Sequence, residues 1–149
     1  MKIAVASDHR GFAYKNILKD YLLSLGHIVI DKGPDNDASV DYPDFAKLVA
    51  LTVASHECDS GVLVCGTGIG MAITANKVHG VRAAVCHDAK TAEMSRRHND
   101  ANVLAFGADV VPENKISGLL DAWVNHAFEG DRHQRRIDKI EEIERSCGQ

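Results

Sequence analysis

One short segment, residues 61–75, restricts the fold of this chain more than any other part of its sequence. Residues 62–64 form an apolar run typical of a strand buried on both faces, and residues 68–75 are mostly helix formers. The turn between them reads Cys65-Gly-Thr-Gly-Ile-Gly70. Because glycine adopts positive φ and lacks a side chain, an oxyanion or a phosphate can approach the N–H groups of this turn.

Cys65 follows the predicted strand and precedes the predicted helix. The dipole and free N–H groups at a helix amino end favour a thiolate, so Cys65 is a candidate base or nucleophile. The alternative is a buried cysteine that packs as a small hydrophobic residue. The turn lacks the third glycine of a dinucleotide fingerprint, the Gly-Lys-Ser/Thr of a P-loop and the arginine of a Cys-x5-Arg phosphatase. The turn alone therefore leaves the reaction open.

Apolar runs alternate with helical periodicities along the whole chain. We expect strands at residues 3–6, 27–30, 62–64, 82–86 and 103–106, and helices at about 14–25, 41–54, 68–75, 89–97, 112–127 and 132–144. Right-handed crossovers convert such an alternation into a parallel sheet covered by helices on both faces. We therefore predict an α/β fold, a three-layer α/β/α Rossmann-like sandwich with a five-stranded parallel sheet.

Composition narrows the classes of function. The 149 residues are 45% hydrophobic and carry a formal net charge of −4, with no broad cationic surface for nucleic acid, although a small anionic substrate fits. No apolar run approaches the roughly 20 residues that span a bilayer, and the first residues resemble a strand rather than a signal peptide. We expect a cytoplasmic protein without a membrane partner. Four cysteines without zinc-ligand spacing indicate reduced thiols and no metal.

Polar residues follow several of the predicted strands, where ligands collect in parallel sheets. These are Asp8-His9, residues 65–70, His87-Asp88 and the turn after Phe106. We expect them to face one crevice, which two basic clusters, residues 96–100 and 132–136, are candidates to join. Arg132 and Arg136 share a helix face at i, i+4 and can hold one phosphate with two guanidinium forks. A solvated, charged helix surface is the alternative for both clusters.

Seven motifs together resemble ribose-5-phosphate isomerase type B. They lie at residues 7–11, 39–45, 65–70, 75–77, 80–83, 95–102 and 132–136, in the order of that family. The wider family also contains allose-6-phosphate and galactose-6-phosphate isomerases. The resemblance implies a single sugar-phosphate isomerase domain over residues 1–149, with a C-terminal helix at 132–146.

The resemblance also implies the reaction, which interconverts D-ribose 5-phosphate and D-ribulose 5-phosphate through a cis-enediolate without a metal or a cofactor. Cys65 matches the base of the family, Thr67 is placed to assist it, His98 matches the residue that opens the sugar ring, and Asp8 is close to the reacting end. Backbone N–H groups of the turn would stabilise the enediolate, namely those of Gly66, Thr67, Gly68, Ile69 and Gly70. The phosphate-binding positions match His9, Arg132 and Arg136, and Asn99 matches a position that hydrogen-bonds the substrate.

Family members are homodimers whose crevice is completed by the partner subunit, which implies the same here, with dimer and tetramer both allowed. One departure is Gly107-Ala108-Asp109, where many members have Gly-x-Arg and the arginine contacts substrate in some of them. We expect either that another cation, Arg135 or Arg10, compensates, or that affinity or sugar preference differs.

Two alternative functions remain open at this point. The first is a hexose-6-phosphate isomerase, acting on allose or galactose phosphate. The second is a noncatalytic phosphosugar- or nucleotide-binding module, which needs the glycine turn and the arginines but neither Cys65 nor His98.

Overall fold

A computed structural model describes residues 1–147 of the chain. Five strands form one sheet in which every neighbouring pair is parallel. They are β1 (Lys2–Ser7), β2 (Ile28–Asp31), β3 (Ser60–Cys65), β4 (Ala83–Val85) and β5 (Val103–Gly107), in the spatial order β2-β1-β3-β5-β4. The predicted five-stranded parallel sheet is confirmed, and β3 lies at its centre.

Six α-helices connect and follow the strands. They are α1 (Phe12–Ser24), α2 (Tyr42–Ala54), α3 (Ile69–Ala75), α4 (Ala89–Asn99), α5 (Ile116–Val124) and α6 (Asp131–Cys147). The helix expected over residues 112–127 is shorter, because a 3₁₀ turn at Glu113–Lys115 precedes α5 and the chain leaves the helix after Val124. None of the helices within residues 1–147 is long and apolar enough to cross a membrane.

The helices cover both faces of the sheet. On one face, α1, α4 and α5 pack against alternate strand residues, among them Ile3, Val62 and Phe106. On the other face, α2 and α3 pack against the intervening strand residues, including Ala4, Leu63 and Cys65. All six residues of β3 are buried, as expected for a central parallel strand. The three-layer α/β/α arrangement is therefore confirmed.

A buried lysine joins the first helix to the loop that follows β2. Lys15 is 1% exposed, and its Nζ donates to both carboxylate oxygens of Asp31 at 2.8 and 3.0 Å and to the Pro34 carbonyl at 2.6 Å. Lys19 donates to the same carboxylate at 3.0 Å from the surface. Burial opposes ionisation of Asp31, but hydrogen bonds from Lys15, the Gly33 N–H and Lys19 hold its pKa below the usual value.

We expect Lys15→Met to cost roughly 3 kcal/mol of unfolding free energy, because it removes the buried donor of the Pro34 carbonyl and leaves Asp31 with only Lys19 and the Gly33 N–H as partners. Lys19→Met is the matched control and should cost less than about 1 kcal/mol, since that pair is partly solvated. Urea unfolding measures both. Ionised Asp31 stabilises the fold because its pKa is lower in the folded chain than in the unfolded chain. This contribution is lost as the pH falls through the folded-state pKa, so the difference in unfolding free energy between wild type and Lys15→Met should shrink there. Equal losses in the two variants would contradict the assignment.

Candidate functional site at the carboxyl edge of the sheet

A surface depression of about 420 Å³ opens where β1 and β3 end. Its lining includes Asp8, Arg10, Tyr42, Cys65, Gly66, Thr67, Ile69, Gly70 and Ile73. We call it the thiol pocket. The structure thus brings together six of the predicted site residues, which are Asp8, Cys65, Gly66, Thr67, Ile69 and Gly70.

Cys65 is the last residue of β3, and its thiol lies beneath the glycine turn. Its Sγ accepts the Gly68 N–H at 3.1 Å, and the residue is 6% exposed. Burial raises the pKa of the thiols of Cys58 and Cys86. Of these three buried cysteines, only Cys65 lines the thiol pocket. A sulfur atom that receives a backbone N–H at a pocket wall has the placement expected of a proton acceptor.

The turn depends on the backbone of Gly68. This residue has φ +80°, and an added Cβ would lie 2.8 Å from backbone atoms of Phe106. The Gly68 N–H can point at the sulfur only because the chain makes this left-handed turn before α3. The hydroxyl of Thr67 accepts the Ile69 N–H at 3.3 Å and so belongs to the same turn.

Asp8 and His9 form the neighbouring wall, just after β1. The buried Asp8 carboxylate accepts the N–H groups of Arg10 and Gly11 at 2.9 and 3.0 Å, which fixes the turn. His9 is half-buried, and its Nδ1 accepts the Val40 N–H at 3.3 Å. Both residues occupy the edge that the sequence predicts for them.

Asp109, the residue at which the resemblance implies an arginine, makes an ion pair with Arg10. Their side chains are 49% and 58% exposed. A Cβ added to Gly66 would lie 2.9 Å from both the Arg10 Nε and the Asp109 Oδ2, so the pair lies directly over Gly66. Of the two cations expected to compensate for Asp109, Arg10 is the one that contacts it.

His87 and Asp88 do not join the thiol pocket. They line a separate cavity of about 670 Å³ with Lys90 and Lys115. The reason is the strand order, since β5 lies between β3 and β4. The expectation that all the strand-end turns face one crevice is therefore wrong for these two residues.

The second group of predicted site residues lies at the opposite edge of the sheet. His98 and Asn99 end α4, and the next residue, Asp100, accepts hydrogen bonds from the Arg82 side chain at 3.0 and 2.8 Å. Arg82 directly precedes β4 and therefore marks the amino edge. β5 runs from this edge to Gly107 beside Cys65, a length on the order of 15 Å. Within one chain, His98 and Cys65 do not share a crevice.

Arg132 and Arg136 lie exposed in the first turns of α6 and flank the buried His133. The Arg132 Nε is 3.3 Å from the His133 Nε2, and Arg136 Nη1 is 3.4 Å from its Nδ1. The His133 ring in turn stacks on His98, with centroids 4.2 Å apart. Arg132, Arg136 and His98 therefore form one cationic group at the amino edge, separate from the thiol pocket. Asn99 is next to it and lines another cavity of about 630 Å³.

The sequence reasoning missed Glu129, which joins this cationic group. One ligand atom each of His98, Glu129 and His133 lies within 4.8 Å of the others, a set that could hold a metal ion. Arg97, Arg132 and Arg136 surround the set with three positive charges. This electrostatic setting favours an anion over a cation. The expectation that the chain uses no metal stays a prediction.

Three comparisons with known proteins agree with one another. The Ribose/Galactose Isomerase family model matches residues 3–140. The chain is 48% identical over 143 residues to ribose-5-phosphate isomerase B of Escherichia coli, covering 96% of each chain.

Solved structures are similar over nearly the whole chain. Ribose-5-phosphate isomerase B of Clostridium thermocellum superposes with a TM-score of 0.96 at 49% identity, covering 98% of this chain and 99% of the other. The enzyme of Mycoplasma genitalium with bound ribulose-5-phosphate superposes with a TM-score of 0.92 at 44% identity, covering 97% and 96%.

We expect Gly68→Ala to destabilise the fold by about 1–3 kcal/mol, because alanine is strained at this φ and its Cβ would press on the Phe106 backbone. Gly118→Ala is the matched control, since an added Cβ meets no atom within 4 Å and alanine is favoured inside α5. That change should be neutral or stabilising by up to about 1 kcal/mol. Thermal unfolding compares them, and a neutral Gly68→Ala would refute the steric argument.

Proposed function

This chain belongs to the Ribose/Galactose Isomerase family, and on that premise we propose that it interconverts D-ribose 5-phosphate and D-ribulose 5-phosphate. The observation that carries the proposal is the Cys65 thiol, which receives the Gly68 N–H at 3.1 Å inside a pocket lined by further turn residues. The similarity to ribose-5-phosphate isomerase B of Escherichia coli, over 96% of both chains, favours the pentose over a hexose phosphate.

In the proposed reaction, Cys65 moves one proton between C2 and C1. Removing the C2 proton of the open aldose leaves its electron pair in a cis-enediolate. The proton on O2 then moves to O1, and the proton returned at C1 completes the ketose. The enediolate oxygen carries negative charge, so N–H donors at the thiol pocket lower the barrier. Those donors are the backbone groups of Gly66, Thr67, Gly68, Ile69 and Gly70, and the Thr67 hydroxyl assists the thiol. This proton transfer requires a base and oxyanion donors, and the proposal therefore includes no cofactor.

The remaining roles belong to groups that bind and open the sugar. We assign ring opening to His98 and a contact with the sugar hydroxyls to Asn99. Arg132 and Arg136 would hold the phosphate with charge-assisted hydrogen bonds, and His9 would add a donor. Asp8, whose carboxylate is fixed by two N–H groups, would lie beside the reacting end of the sugar.

The thiol pocket and the cationic group that contains His98 lie at opposite edges of the sheet in one chain. We therefore propose that a second copy of the chain completes the site. The thiol pocket of one subunit would then face the His98 group of its partner. Ile69 and Ile73, which line the pocket, are 53% and 58% exposed, and Tyr42 is 41% exposed. An apolar rim of this kind is typical of a surface that another protein covers. A homodimer is the smallest assembly that satisfies this arrangement.

The first test measures turnover of five- and six-carbon aldose phosphates, followed by Cys65→Ala with the best of them. We expect ribose 5-phosphate to be preferred and the variant to lose nearly all kcat while its affinity for substrate stays within a few fold, because a base acts on the barrier. Cys58→Ala, a change at a buried thiol outside the pocket, is the control. Binding without turnover in the wild type would instead identify a noncatalytic module.

The second test mixes two inactive variants, Cys65→Ala and His98→Asn, under conditions that exchange subunits. Suppose that each site combines Cys65 of one subunit with His98 of the other. After random exchange of equal amounts, half of the dimers are hybrids, and each hybrid has one intact site and one site that lacks both residues. We therefore expect about one quarter of wild-type activity to return. A site formed within a single chain would give no recovery, because neither variant then contains both residues. Mixing Cys65→Ala with Thr67→Ala, which alter the same half of the site, is the control and should recover nothing.

A further inference from the structure

We propose that Glu129 and His133 are positioning residues that hold the His98 ring in one orientation for opening the sugar, an inference that rests on the proposed function. Neither residue is needed for the proton transfer at Cys65. The geometry of three elements carries the inference, namely the end of α4, the loop after α5 and the first turn of α6.

Two imidazole rings stack on each other at the junction of α4 and α6. His98 and His133 lie with their planes 9° apart and their centroids 4.2 Å apart. His133 is buried at 6% exposure, whereas the His98 side chain is 33% exposed. The buried ring is thus the support, and the half-buried ring on top of it is the one that a ligand can reach.

Hydrogen bonds to Arg97 hold Glu129 in place. Its Oε1 accepts the Arg97 Nε at 2.6 Å and also contacts the Arg97 Nη2, and its own N–H donates to the Arg97 carbonyl at 3.0 Å. Its Oε2 is left 3.7 Å from the Nε2 of both His98 and His133. A carboxylate fixed in this way can favour one imidazolium in the pair.

The surroundings of the two rings differ in how well they tolerate an imidazolium ion. Two imidazolium ions at this separation would repel each other. Burial lowers the pKa of His133, and the positive charges of His98, Arg132 and Arg136 lower it further, while Glu129 opposes them. Burial and these neighbouring charges thus disfavour an imidazolium at His133, while His98 is the ring of the pair that a ligand can reach. Hydrogen bonds from Arg97 hold the pKa of Glu129 below its usual value, so this carboxylate stays ionised.

Two further titratable side chains of these elements lie near Arg97. Glu93 on α4 is paired with Arg97, and His126 after α5 lies 4.0 Å from the Glu93 carboxylate. Glu129 is thus the carboxylate in direct reach of the His98 Nε2 among the described residues of these elements.

Ring opening is the step that needs this arrangement. The bond between C1 and the ring oxygen breaks, its electron pair goes to that oxygen, and the oxygen takes a proton. The C1 hydroxyl loses a proton and becomes the aldehyde, so no proton is gained or lost overall. A positioned imidazole that can donate and accept speeds both transfers. If His133 took the proton, His98 could not donate it to the ring oxygen. If the His98 ring rotated, the distance over which the proton is transferred would change.

The experiment uses the full chain with Glu129→Gln, and with Glu142→Gln as the matched control, because Glu142 is exposed on α6. Two rates are measured. One is turnover of ribose 5-phosphate, which must be opened. The other is deuterium incorporation at C1 of ribulose 5-phosphate in D2O, which needs only the proton transfer because this ketose is acyclic. We expect Glu129→Gln to lower the first about tenfold to a hundredfold and to leave the second within about twofold.

The pH dependence gives a further readout. Because the Glu129 carboxylate favours an imidazolium, its removal should move the pH profile of ribose 5-phosphate turnover to lower pH. His133→Ala should show the same selective loss of ring opening, and His133→Phe, which keeps a flat ring under His98, should recover most of it. Circular dichroism checks that each variant folds. Equal losses in both rates, or no loss, would overturn the proposal.

Nitrogen NMR of the histidine rings separates this inference from the proposed function. We expect the His133 ring to titrate below the ordinary pH range of histidine in the wild-type protein, because burial lowers its pKa. Titration of His133 in that range would overturn the inference even in an active isomerase. If the protein turns over no sugar phosphate, the proposed function fails and the ring-opening role fails with it, while the spectra still decide whether His133 is the neutral ring.

Discussion

All five strands run in the same direction, and this constraint divides the chemistry of the chain between two edges of the sheet. The end of β3 places Cys65 at the carboxyl edge, and the loop after β5 places Asp109 there, whereas the last turn of α4 places His98 at the amino edge. The separation is about the length of β5, on the order of 15 Å. This separation is the basis of our proposal that a second subunit completes the site.

The thiol turn is placed by the most buried part of the fold. β3 is buried along its whole length between β1 and β5, and the Cys65 carbonyl accepts the Ala108 N–H at 2.8 Å after β5. The sulfur and the Gly68 N–H are thus held by a central strand and by a backbone turn that only glycine adopts without strain. Such groups need little reorganisation when charge develops beside them.

Much of this arrangement could be predicted from the sequence because its signals are local. Buried strands give apolar runs, and the Cys65 turn is contiguous in the chain. The division of the site between two edges was not predicted, although residues 96–100 end a helix that leads back to the next parallel strand, which places them at the amino edge. Glu129 carried no signal, because it reaches His98 from the loop between α5 and α6, which its N–H joins to the Arg97 carbonyl of α4. Contacts between distant elements depend on tertiary geometry that a single sequence does not specify.

The Arg10–Asp109 pair bears on how a dianionic sugar would be attracted. Both side chains are about half exposed, and such pairs contribute only about 0–1 kcal/mol to stability. The effect of the pair is therefore electrostatic, since it places a neutral unit over Gly66 where a single arginine would be positive. The excess positive charge lies instead at the amino edge, on Arg132 and Arg136. In the proposed dimer the phosphate would be attracted mainly by the partner subunit, while the thiol pocket would contribute the base and the N–H donors.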